Sequence, residues 1–249
     1  SNALTIGFQP DFTWIKMTSG THPHALFDSV RGVTKYLSSD ATTAETTAAE
    51  SLKSFDSTGF TLGTNTVVNG SGNDNVAYSW KAGTTTGIDT TGATITPSSY
   101  SFDQDRGQSI VAYTGNSTAG ATLPHGLGTI PDMYIIKTVN TAEGWVVYHK
   151  NMDATAPEDY FQYLNTTVAR ADDAGKWNDT APTSTVVSFG GSSNVNTGYT
   201  YVGYFFKSIP GYSKFGGYEG TANVNGPFCY TGFRPNWLMV KSIDSGDSW

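Results

Sequence analysis

GFQPDFTWIK (residues 7–16), GTIPDMYIIK (128–137) and GFRPNWLMVK (232–241) are three versions of one phrase. Each sets a Gly and a Pro before a short apolar run that closes on Lys. Self-similarity of this kind marks a repeated structural unit. Working outward, residues 10–28 lie over residues 131–149 without a gap, so Asp11, Ile15 and Lys16 meet Asp132, Ile136 and Lys137. Further on, Tyr36-Leu37 falls over Tyr163-Leu164, residues 60–63 over 187–190, and VAYSWK (76–81) over VGYFFK (202–207). Length changes fall only between matched blocks, in polar stretches such as 151–159. Loops absorb insertions and paired strands do not. The segment before the phrase recurs too, as Tyr113-Thr114-Gly115 and Tyr230-Thr231-Gly232. In the third version Lys241 stands opposite Lys137 and Trp249 opposite Trp145.

The runs Phe12-Thr13-Trp14-Ile15 and Met133-Tyr134-Ile135-Ile136 have the length of strands buried on both sides. Residues 76–80 alternate, placing Val76, Tyr78 and Trp80 on one face, after a turn cluster at Asn69–Asp74 written NGSGND. Only 14% of the 249 residues are charged, while aromatics make 13% and Gly numbers 28. With Thr, Ser, Asn and Val this is a strand-and-turn composition, neither disordered nor helical. One stretch dissents: ATTAETTAAESLK (41–53) lacks Gly and Pro and reads equally as a short helix or a polar loop, as does its counterpart at 168–176. The expected architecture is all-β: two tandem antiparallel β-sandwich repeats of jelly-roll type, plus the first strands of a third. Residues 1–3 read as an expression scar set aside from fold reasoning. The first repeat spans 4–83, a Thr/Gly/Ser-rich linker 84–106, the second repeat 107–220, and the opening of the third 221–249. The apolar segment 227–240 would be an aggregation hazard in water. It is expected to pair with a sheet of the preceding domain or of a neighbouring chain.

The net charge is −7, with 14 Lys and Arg spread singly, which gives no basic stripe for nucleic acid. No apolar run approaches the length of a membrane span. The single cysteine, Cys229, lies in Pro227-Phe228-Cys229-Tyr230 and is expected to be a small buried hydrophobe. No metal site is expected: His22 and His24 are replaced by Glu143 and Trp145 in the second repeat, and only His125 and His149 remain. No cofactor is expected, with calcium at Asn73-Asp74-Asn75 or Asp172-Asp173 as the alternative kept open, though neither has the spacing of a calcium loop. No catalytic residue is assigned. Asp103, Asp105, Glu158, Asp159, Asp172 and Asp173 sit among Gly, Ser and Thr, where solvation is the default reading over a glycosidase pair.

The aromatics carry more. Flat rings stack on pyranose faces while Asn and Asp take hydroxyls. Trp145, Trp177, Tyr160, Tyr163, Tyr199 and Tyr201 lie near polar loops and are the candidate glycan contacts. Trp14, Trp80 and Trp237 are expected in the core or at an interface.

HALFDSVRGVTKYLSSD (24–40), SFDSTGFTLGTNTVVNGSG (54–72), VAYSWKAG (76–83) and IPGYSKFGGY (209–218) resemble repeated domains of tail and tail-fibre proteins of marine bacteriophages. The resemblance implies a jelly-roll or concanavalin-like sandwich in a virion or extracellular setting. It implies contact with other virion proteins and a host-surface polymer or glycan, and it brings no catalytic residues. The second repeat reads VVYHKNM at 146–152 where the first has LFDSVRG, so no shared task for Asp28 or Arg31 is expected. The reading is therefore a non-enzymatic virion structural protein that contacts a host glycan through loops, with a homo-oligomer kept open. The alternatives are a spacer without ligand and a polysaccharide hydrolase.

Overall fold

The computed structural model describes residues 2–247. Ser1 and Trp249, and with Trp249 its expected match to Trp145, lie outside the described residues. The N-terminal half contains β1 (Asn2–Thr5), β2 (Phe12–Met17), β3 (Ala25–Asp28), β4 (Lys35–Tyr36), β5 (Thr46–Thr47), β6 (Leu52–Asp56), β7 (Gly59–Leu62) and β8 (Asn75–Trp80). The C-terminal half contains β9 (Ser99–Asp103), β10 (Gln108–Thr114), β11 (Ala121–Pro124), β12 (Met133–Thr138) and β13 (Val146–His149). Then come β14 (Tyr160–Tyr163), β15 (Ala171–Asp172), β16 (Val186–Phe189) and β17 (Thr200–Phe206). Two single-turn helices, α1 (Thr66–Asn69) and α2 (Ala174–Trp177), interrupt them. The fold is all-β, and every strand pair is antiparallel.

Pairing registers recur between the halves. β2 sits between β3 and β8, with Trp14 opposite Leu26 and Tyr78. β12 sits between β13 and β17, with Ile135 opposite Val147 and Tyr204. These are the positions the sequence matched. β7 pairs with β1 as β16 pairs with β11: Leu4 faces Phe60, and Leu123 faces Val187. Asn2 and Ala3, set aside from the sequence reading, thus contribute backbone to the sheet. One match slips. Tyr36 pairs with Thr46 and Phe161 with Ala171, so Tyr36 corresponds to Phe161 and not to Tyr163. The slip is two residues, an even number, so the inward face is kept.

Four layers result. Between β1-β7-β6 and β3-β2-β8 lies a core of Ile15, Phe27, Leu52, Phe60, Leu62 and Val68. Their counterparts Ile136, Tyr148, Trp177, Val187, Phe189 and Val195 fill the core between the seven-stranded sheet β15-β14-β13-β12-β17-β10-β9 and the β11-β16 pair. The third core lies where the β3-β2-β8 sheet meets the seven-stranded sheet. Phe12, Trp14, Leu26 and Trp80 pack there against Met133, Ile135, Val147, Val202 and Tyr204. Trp14 and its match Ile135 therefore share one interface, each on the back of its own sheet. β12 is buried at all six positions because apolar layers cover both its faces, and each large aliphatic side chain so buried contributes about 1.5–3 kcal/mol.

Three expectations, on the linker, the tail and Cys229, are corrected, and the even alternative over 41–53 is decided against the helix. The segment read as a linker contains β9, hydrogen-bonded to β10, and Ile95 enters the C-terminal core; a Thr- and Ser-rich strand at a sheet edge needs few apolar residues. No helix forms over 41–53, which supplies β5 and the start of β6; α2 occupies only the end of the counterpart. In the tail no strand forms among described residues beyond β17. The tail docks without pairing to a sheet of its own chain: the Trp237 ring lies 5.7 Å from that of Trp80 and 6.4 Å from that of Trp14, Met239 packs on the junction core, and Ser242 O and Ile243 O accept from Gln162 Nε2 and the Arg170 N–H, while Cys229 is exposed rather than buried.

Candidate functional site

Asp11, just before β2, has its counterpart in Asp132 just before β12. The Asp11 N–H donates to Trp80 O, and its carboxylate accepts from the Ala82 N–H at 2.9 Å and the Ser29 hydroxyl at 2.7 Å. Asp132 makes the same bonds one half later: its N–H donates to Phe206 O, and its carboxylate accepts from the Ser208 N–H at 2.6 Å and Lys150 Nζ at 2.7 Å. Burial opposes the charge of Asp132, but the hydrogen bonds from Lys150 and Ser208 hold its carboxyl below the usual range. Asp11 has a third donor, Ser101 of β9 at 2.9 Å, and Ser101 Oγ itself accepts from the Gly83 N–H. That bond ties the edge of the seven-stranded sheet to the N-terminal half.

Above Asp11 opens a cleft of about 440 Å³ between the halves. Its walls present Gln9, Ser29, Thr85, Ser98, Ser99 and Tyr100. Among the described residues Asp11 is the one charged side chain lining it; at 5% exposure and with three donors, it has little capacity left for a ligand. The cleft thus offers neutral donors and acceptors and one aromatic ring, half-buried and packed on Phe102. This chemistry suits an uncharged polyhydroxyl ligand better than a phosphate or a cation.

A buried charge network lies nearby at the junction. Arg31 Nε contacts Asp28 Oδ2 at 2.6 Å, its Nη1 meets Glu45 at 2.9 Å, and Tyr204 of the opposite sheet donates to Asp28 at 2.7 Å. Burial works against the Arg31 charge, but Asp28, Tyr204 and Glu45 raise its pKa further above its ordinary value.

The aromatics chosen from sequence do not converge. Trp145 and Trp177 are fully buried and Tyr201 is 1% exposed. The Trp145 indole N–H donates to Ser38 O and Ala41 O across the junction, and that of Trp177 to Tyr160 O. Their polar edges are already used, so all three act in packing. Tyr160 is half-buried beneath Arg170, and Tyr163 is half-buried with its hydroxyl toward Asn194. Tyr199 alone is exposed. His24 accepts from the Trp14 indole at 2.8 Å, and burial lowers its pKa. Asp173 caps α2 through the Gly175 N–H, and Asp103 pairs with Arg106. Among the described residues no three His, Cys, Asp or Glu side chains converge as a metal site. Asp11 is not among the candidates from sequence, although the Pro-Asp shared by residues 10–11 and 131–132 is a signal that could have marked it; nothing in sequence marks Gln9 or Tyr100.

The antiparallel layers and their junction define a β-sheet protein whose seven-stranded sheet and three-stranded β3-β2-β8 sheet are joined back to back. The chain belongs, over residues 1–249, to the family described as DUF7483, a domain of unknown function. No curated protein and no solved structure matches it.

Proposed function

We propose that the chain is a non-enzymatic structural protein of a virion, working outside the cell. In this reading it is built of two tandem jelly-roll or concanavalin-like sandwich units with the opening of a third, and it contacts a host-surface glycan. The single observation that carries the binding reading is the neutral, hydroxyl-lined cleft beside Tyr100. The resemblance of residues 24–40, 54–72, 76–83 and 209–218 to phage tail domains supports the setting. The recurring registers of β2 and β12 support the tandem units. A glycosidase needs two carboxyl groups roughly 5–10 Å apart across a cleft, and this cleft is lined by one, already hydrogen-bonded.

Weak sites repeated on a rigid array raise avidity without a tight single site. The test is a neutral-glycan array probed with the chain as monomer and as a tetramerised form. Binding by the multimer that is lost in Tyr100→Ala and Gln9→Ala is expected. The second reading, a spacer without ligand, is favoured by the burial of Trp145, Trp177 and Tyr201 in packing roles. Failure of the multimer to bind any glycan would select it.

A further inference from the structure

The outer edge of β8 and the tail segment 225–231 are complementary. In the C-terminal half, β17 is flanked on its outer side by β10, with Val111 opposite Gly203 and Tyr113 opposite Tyr201. In the N-terminal half β8 occupies the place of β17, and among the described residues no strand lies beyond it. The alternation of an antiparallel ladder fixes what that edge presents. Thr18 N–H donates to Asp74 O, so Asp74, Val76, Tyr78 and Trp80 bond toward β2. Asn75, Ala77 and Ser79 then turn their N–H and C=O groups outward. Such an edge is a template for another strand.

The tail carries a β10-like strand without a sheet. Tyr230-Thr231-Gly232 repeats Tyr113-Thr114-Gly115, with Phe228 in the place of Val111. Phe228 is 90% exposed and Tyr230 77%. Meanwhile Trp237 of the same tail is already seated on Trp14 and Trp80.

We propose that segment 225–231 of a second copy of this chain adds to the β8 edge as an antiparallel strand, joining chains head to tail. The proposal rests on the repeat reading above. Transferring the β10–β17 register sets Tyr230 opposite Asn75, Phe228 opposite Ala77 and Pro227 opposite Tyr78. Phe228 and Tyr230 then enter the core of Ile15 and Phe27, as Val111 and Tyr113 enter that of Ile136 and Tyr148. Pro227 fits this register. Opposite Tyr78 its nitrogen faces away from β8, where the missing N–H costs no ladder bond. Such a contact joins two different surfaces and so propagates into rings or open chains.

The same register sets Cys229 opposite Val76 at a pair that exchanges no backbone hydrogen bonds, where Cα atoms come within about 4.5 Å, inside disulfide range. The full chain is expected to self-associate with concentration in sedimentation velocity. The double variant Phe228→Asp, Tyr230→Asp, at positions exposed in the single chain, is expected to stay monomeric with an unchanged circular dichroism spectrum and melting curve. Oxidised Val76→Cys is expected to give disulfide-linked dimers and higher species through Cys229, and Val76→Ser none. A wild-type chain that is monomeric at every concentration would overturn the proposal. So would self-association that survives the double Asp variant, or a Val76→Cys disulfide confined within one chain. None of these readouts involves a glycan, so a failed array leaves the test intact.

Discussion

Asp11 and Asp132 are the same brace built twice: each closes the start of its central strand onto the residue two places past the end of the neighbouring strand, Ala82 in one half and Ser208 in the other. An N–H just past the end of a strand has no ladder partner, and a buried one left unpaired costs about 1–3 kcal/mol. A carboxylate fixed by the preceding Pro solves that problem in both halves. Asp11→Ala and Asp132→Ala are therefore each expected to lower the unfolding free energy by about 1–3 kcal/mol. Urea denaturation followed by tryptophan fluorescence measures this. A variant as stable as the parent would mean the brace is ornamental.

Gly63 and Gly190 occupy matched places after β7 and β16. A Cβ at Gly63 would meet the Glu50 backbone, and one at Gly190 the Ala174 and Gly175 backbone, closer than 3.0 Å in both cases. Neither glycine has a positive φ, so the requirement is close approach and not turn geometry. The Gly63 N–H donates to Ser51 O and the Gly190 N–H to Lys176 O, which pins the approach. Gly63→Ala and Gly190→Ala are each expected to cost about 1–3 kcal/mol, as overpacking does, whereas Gly191→Ala, with open space around it, should be nearly neutral. Thermal melts of the three variants decide it.

β2 and β12 were legible because a Pro, an apolar run and a Lys recur at 10–16 and 131–137 and their pairing registers match; the same phrase at 232–241 forms no strand. Tyr36 was matched to the wrong partner because Tyr163-Leu164 repeats its letters while Phe161 takes its place in the ladder. Composition hid β9, since Ser99 and Ser101 look like linker until an adjoining strand pairs with them. The aromatics failed as surface markers for a plain reason. Trp145 and Trp177 lie beside polar loops in sequence, but their rings turn inward and their indole N–H groups donate to distant carbonyls, of Ser38 and Ala41 for Trp145 and of Tyr160 for Trp177. Proximity in sequence to Asn and Asp does not distinguish a ring that meets solvent from one that anchors the loop. The cleft is assembled from residues 9, 29, 85 and 98–101, and only the back-to-back sheets bring these together.

The junction network should be costly to break on one side only. Arg31 compensates Asp28 and Glu45 in a site where its side chain is 4% exposed and that of Asp28 fully buried. Arg31→Met leaves the buried Asp28 without its cation and Glu45 with Lys35 alone, at 3.8 Å, and is expected to cost about 3–5 kcal/mol. Tyr204→Phe removes one charge-assisted hydrogen bond and should cost about 1.5–3 kcal/mol. Because Tyr204 comes from the opposite sheet, the two losses should be coupled. A double-mutant cycle on urea midpoints should return a non-additive term of about 0.5–3 kcal/mol. Strict additivity would show that the two residues do not act as one network.

Stability should fall in mild acid through His125. Its imidazole is fully buried, Nδ1 accepting from the Leu127 N–H and Nε2 facing Thr183 O, and burial pushes its pKa down from 6.5 to about 4. In the unfolded chain this ring takes a proton as pH drops below about 6.5, but in the folded chain only near 4. Protonation therefore favours unfolding across that window, by up to about 3 kcal/mol at its lower end. His149, also pushed down to about 4 by burial and by Lys150, adds a slope of the same sign. The Asp132 contribution is lost only at still lower pH, as its depressed carboxyl is protonated. Unfolding free energies at pH 6.5 and pH 4.5 should thus differ by less in His125→Gln than in the parent. An unchanged difference would mean that His125 is protonated in the fold without penalty, against its burial.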